Sequence, residues 1–150
     1  MLKEDPRDTL YFLFAQVIRL HFKRAHAHLE KIGLYPGQHP VLFILKHRKE
    51  GQSQKDIAEA MRIKPATLTV MLKRLENSGI VKRKPDEADQ RITRVYLTEK
   101  GFEVAEEMER AMNEIDKECF KNFTVEEQAL LRRFFMQMRD NLKEANKEWR

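Results

Sequence analysis

Two helical patterns joined only by Arg62 and Ile63 dictate most of what this chain can become. The first opens at Ser53-Gln54-Lys55-Asp56, which resembles a capping box with Asp where Glu reaches back better, and carries Ile57, Ala58 and Met61 as its apolar side. The second starts at Pro65, a residue suited to a first helical position, and repeats Leu68, Met71, Leu72 and Leu75 at helical spacing. Two short helices with so brief a joint form a helix-turn-helix. Burying the leucine stripe turns Ala66, Thr67, Thr69, Val70, Lys73 and part of Arg74 outward, with no acid among them before Glu76. Such a face can enter a DNA major groove without clash or charge repulsion. The same pattern in isolation also describes an ordinary amphipathic surface helix, so the flanking segments decide.

They favour the groove. Gly79 is well placed as a left-handed residue ending the second helix, with Ile80 folding back onto Leu75. Ile80 to Lys84 then reads as a short strand, and Pro85 to Gln90 as a polar loop. From Arg91 to Thr98 the chain alternates, with Thr93, Val95 and Leu97 on one face and Ile92, Arg94 and Tyr96 on the other. The resulting β-hairpin turns the helix-turn-helix into a winged helix.

On either side lie long helical patterns. Residues from about Asp8 to Lys31 carry apolar groups on more than one stripe, and a second helix follows from Pro36 with Pro40 in its first turn. After the hairpin, Thr98 is a good N-cap for a helix bearing Phe102, Ala105, Met108, Met112, Ile115 and Cys119. Gly101 is a minor weakness in its first turn. Thr124-Val125-Glu126-Glu127 is a capping box for a last helix with Leu130, Leu131, Phe134, Phe135, Met138 and Leu142. Each of these two helices would run roughly 30–35 Å, more than one small lobe can cover, so their stripes call for a partner chain. The expected fold is mainly α with a small β-hairpin: one domain over 1–150, a winged helix-turn-helix at 34–100, and dimerisation helices at 8–33 and 101–148.

Charge is distributed to match. Residues 46–94 hold 13 Lys/Arg against 7 Asp/Glu, and the rest 16 against 17, so the net +5 lies entirely in the middle third. Lys73, Arg74, Lys82, Arg83 and Lys84 would meet phosphates, contacts that supply affinity without sequence information. Base reading falls to Pro65, Ala66, Thr67, Thr69 and Val70, whose hydroxyls and methyls suit light, T-rich contacts supplemented by DNA shape. Arg91 beside the wing loop is the natural minor-groove probe, and Asp89 is suited to holding it in shape.

Residues 34–101 resemble the MarR family of bacterial winged-helix regulators. The likeness rests on Pro-Ala-Thr-Leu-Thr at 65–69, Leu-Glu-Asn-Ser-Gly-Ile-Val-Lys-Arg at 75–83, Asp89-Gln90-Arg91, and Val-Tyr-Leu-Thr-Glu-Lys-Gly at 95–101. It implies a homodimer joined by terminal helices on a pseudo-palindromic operator, with repression relieved by a small molecule, metal or oxidant. By the same resemblance an effector cavity would involve Phe12, Phe14 and His39. Two departures stand out. Arg62 occupies a turn position where the family often has Gly, and Gln90 replaces an Arg common beside Arg91.

Other chemistries find little support in the residues. Cys119 sits on an apolar stripe and reads as a core residue, not a redox sensor; a lone cysteine fits a reducing cytosol. His21, His26, His28 and His39 lack a neighbouring thiolate or paired acids, so no metal site or cofactor is expected. With only Ser53 and Ser78 as serines and no phosphate loop, no catalytic residue is expected. No run reaches the roughly 18 apolar residues of a membrane span, and no cleavable leader is evident, which points to the cytoplasm. The competing reading is a winged helix used for protein–protein interaction with its basic face solvated.

Overall fold

The computed structural model describes residues 5–147. After a 3₁₀ turn at Pro6–Asp8, the elements in order are α1 (Leu10–Glu30), α2 (His39–Lys46), β1 (Gln52–Ser53), α3 (Gln54–Met61), α4 (Pro65–Asn77), β2 (Val81–Pro85), β3 (Thr93–Leu97), α5 (Glu99–Cys119) and α6 (Val125–Lys147). The helix-turn-helix is α3–α4 and the wing is β2–β3. Contacts divide the chain into two compact units with the boundary inside α5, one reaching Ile115 and the other starting at Asp116, where one domain over 1–150 was expected. Residue 148, the expected end of the last helix, lies outside the described residues.

In the first unit one core joins α1 through α5. Leu29, Leu34, Val41, Leu42, Leu45, Ile57, Leu68, Leu72, Leu75, Val95 and Met108 are all buried. Each such side chain contributes about 1.5–3 kcal/mol of transfer free energy. The helical spacing of Leu68, Leu72 and Leu75 thus fixes which face of α4 turns inward.

Local chemistry sets the joints. Ser53 caps α3 by accepting from the Asp56 amide at 3.1 Å. α3 ends on Arg62 at φ 53°, with Arg62 and Ile63 amides donating to Glu59 and Ala58 carbonyls. A Cβ-bearing residue in that conformation costs about 1 kcal/mol. At the end of α4, Gly79 has φ 73°, and the Ile80 amide donates to the Leu75 carbonyl at 2.9 Å, closing a Schellman turn over buried Ile80 and Leu75. Thr98 then ties three segments together. Its hydroxyl donates to Gly79 O and accepts from the Gly101 amide, and its own amide donates to Ile80 O at 3.0 Å.

Four expectations need correction. The wing is part of a three-stranded antiparallel sheet in the order β1-β3-β2, because Gln52 and Ser53 pair with Val95 and Arg94 before the α3 cap. α2 begins at His39 instead of Pro36, since Gly37 turns the chain at φ 87° and the Gln38 side chain accepts from the Tyr35 amide. Gly101 is no weakness: a Cβ there would lie 2.0 Å from Ile80 O, so its bareness is what lets α5 approach the start of the wing. Cys119 is exposed, one turn beyond Ile115, the last buried residue of α5.

The long helices are bare to a degree unusual for a monomer. On α1, Leu10, Leu13, Phe14, Val17, Ile18, Leu20 and Phe22 are exposed, and only Leu29 of that helix is buried. No residue of α6 is buried, although Thr124 and Glu127 form the expected reciprocal capping box at 3.1 and 2.8 Å. No described helix is long and apolar enough to cross a membrane.

Candidate nucleic-acid interface

With the leucines of α4 turned inward, Pro65, Ala66, Thr67, Thr69, Val70, Lys73 and Arg74 are all exposed. Val70 is 56% exposed. The face is therefore small, hydroxylic and apolar toward the helix start and cationic toward its end. Thr69 Oγ1 donates back to the Pro65 carbonyl at 3.0 Å and accepts from Gln54 Nε2 at 3.3 Å. The same helix borders a cavity of about 340 Å³ lined by Tyr35, Pro36, Gln38, Thr67, Val70, Met71 and Arg74.

The wing is braced by carboxylates. Asp86 accepts from the Ala88 and Asp89 amides at 3.0 and 3.1 Å and from Arg94 Nε at 2.7 Å. Arg94 also reaches the Gly51 carbonyl at 3.2 Å, linking the wing loop to the residue before β1. The Arg94 hydrogen bond holds the Asp86 carboxyl below its ordinary range. At the tip, Asp89 accepts from the Arg91 amide, Nε and Nη2 at 3.1, 3.0 and 2.9 Å. That pairing lowers the Asp89 carboxyl and raises the Arg91 guanidinium. The Arg91 side chain nonetheless stays 89% exposed, with Asp89 holding one edge of its guanidinium.

Not every basic residue joins this surface. Lys84 is exposed on β2, and Lys82 lies 5.9 Å from the Tyr96 ring centroid. Arg83 is committed elsewhere: its Nε and Nη2 donate to the two carboxylate oxygens of Glu76 at 3.0 and 3.1 Å. The bidentate pair lowers the Glu76 carboxyl. It staples the last turn of α4 to β2, so Arg83 is a positioning residue and not an open phosphate contact. Phe12 and Phe14 are exposed on α1, while His39 is half-buried at the start of α2. None of the three lines the cavity beside α4. Burial lowers the His39 imidazole from its usual value, and its buried Nδ1 has no hydrogen-bond partner among the described residues.

Sequence reasoning missed Gln54, Glu76, Asp86 and Arg94. Two had a visible signal. Arg94 faces away from Val95 in an alternating strand, and Asp86 lies just beyond the end of its pairing partner β2.

A braced wing beside a two-helix unit with an open basic reading face defines a winged helix-turn-helix protein. A family model described as MarR family matches residues 34–93. A Bacillus subtilis (strain 168) relative, the uncharacterized HTH-type transcriptional regulator YwoH, is 32% identical over 120 residues, covering 80% of this chain and 86% of the relative. Another from the same organism, YdgJ, is 34% identical over 110 residues, covering 73% of this chain and 66% of the relative, just under two thirds. The fold of the S. aureus MepR–DNA complex superposes with a TM-score of 0.78 at 23% identity, covering 89% of this chain and 98% of that one. The chain belongs to the MarR family of transcriptional regulators.

Proposed function

We propose that the protein is a cytoplasmic homodimeric repressor that reads a pseudo-palindromic operator and is released from it by a small-molecule effector. The observation that carries DNA reading is the exposed face of α4, where Pro65 through Arg74 offer hydroxyls, methyls and cations while every leucine of the helix is buried. Pro65, Ala66, Thr67, Thr69 and Val70 contact base edges; Lys73, Arg74 and Lys84 contact phosphates; Arg91, oriented by Asp89, enters the minor groove. The dimer reading is supported by the bare apolar surface of α1 and α6. Two recognition helices so joined would address half-sites roughly 10–10.5 bp apart.

The effector reading is supported by the unpartnered Nδ1 of His39, a polar atom out of water that a ligand could satisfy. By the family resemblance alone, Phe12 and Phe14 would join that site. The deciding experiment is selection of bound duplexes from random sequence, repeated with a panel of lipophilic acids and metals. An enriched inverted repeat whose affinity falls steeply with salt is the expected result. A nearly flat salt response would instead mark a protein-interaction module.

A further inference from the structure

Thr69 carries a hydrogen-bond arrangement that neither helix would create alone. A hydroxyl owns one hydrogen and two lone pairs. In Thr69 the hydrogen goes to the Pro65 carbonyl at 3.0 Å, one turn earlier in α4. One lone pair takes an amide hydrogen from Gln54, the first residue of α3, at 3.3 Å. Because the hydroxyl hydrogen is already committed, only the NH₂ end of the Gln54 amide can face it. What remains to Thr69, on an exposed part of α4, is a single accepting lone pair.

We infer that the Pro65 carbonyl, which holds the hydrogen, and the Gln54 amide, which fills one lone pair, together fix the hydrogen-bonding polarity of Thr69, so that this position of the recognition helix accepts and does not donate. An unconstrained threonine can serve either partner. The constrained one suits a base that offers an exocyclic amino group in the major groove, adenine N6 or cytosine N4. Guanine O6 or thymine O4 would meet a lone pair with no hydrogen between them. To bond either, the hydroxyl would have to release Pro65. The position therefore sorts amino bases from keto bases without distinguishing within each class. This rests on the DNA-reading function proposed above and names the base class read at one contact.

The test uses the full chain and its Gln54→Ala, Thr69→Val, Thr69→Ser and doubly substituted (Gln54→Ala with Thr69→Val) variants. Duplexes selected by the unsubstituted protein are varied one base at a time, and affinities are compared for all four bases at each position. One position per half-site should favour adenine and cytosine alike over guanine and thymine by about five- to tenfold, the value of one hydrogen bond. Thr69→Val should abolish that preference and Thr69→Ser should keep it; Gln54→Ala, which leaves the Pro65 bond in place and only frees a second lone pair, should keep its direction. The doubly substituted protein should discriminate no more than Thr69→Val alone. A keto preference at that position in the unsubstituted protein, or a preference reversed or lost in Gln54→Ala, would overturn the inference; loss in Gln54→Ala with the preference kept in Thr69→Val would mean that Gln54 reads the base itself. An enriched operator with no position responsive to either residue would sink this inference alone. No enriched sequence at all would remove the DNA-reading function with it.

Discussion

Single residues on the basic face divide into those that hold the protein together and those left open, and the two kinds can be separated by salt. Arg83 and Lys84 are neighbours on β2, yet Arg83 is locked to Glu76 and Lys84 is exposed. Lys84→Ala should reduce the slope of log K against log salt by about 1 for each protomer. Arg83→Ala should lower the melting temperature and leave that slope unchanged. Arg91→Ala should weaken binding most on operators with A·T-rich flanks, where a narrow minor groove attracts arginine; equal losses on all flanks would make it a plain phosphate contact. The sequence made the outward set of α4 readable because Leu68, Leu72 and Leu75 leave the helix only one inward face. It could not reveal that Arg83 is engaged, since that depends on β2 returning alongside the end of α4, a meeting encoded in tertiary packing and not in local spacing.

At the level of elements, turns and caps were the most legible features and close approaches the least. Gly79, the Thr124 box and the Thr98 cap follow from backbone hydrogen-bond needs that local sequence states directly. Gly101 does not, because its reason is the Ile80 carbonyl, distant in sequence. Gly101→Ala should destabilise the fold by about 3 kcal/mol or more, measured by chemical denaturation, because backbone must shift to admit the methyl group. The wing has its own sensitivity to acid. Asp86 and Asp89 are held below the ordinary carboxylate range by their arginines, so their contribution is complete above the unfolded value of about 4 and is lost as pH falls through the lower folded value. The amide resonances of Ala88 and Asp89, which donate to Asp86, should report that loss below pH 4. Asp86→Asn should weaken the wing in the same way at neutral pH, read from the same amide resonances.

For the whole molecule, the dominant unsatisfied feature is apolar surface on α1 and α6. Its amphipathic periodicity was visible in the sequence, but which side would remain bare was not, since that needs the partner that covers it. Removing everything after Phe123 should leave a monomeric or insoluble chain, as judged by sedimentation; a stable dimeric truncation would mean that other surfaces hold the subunits together. The joint at Thr98 bears on how such a dimer could move. Gly79 and Ile80 at one end, Gly101 at the other and the threonine between them leave no slack between the end of α4 and the start of α5. A twist delivered at the start of α5 would therefore pass directly into α4 and the wing, with the threonine hydroxyl as the pin between them.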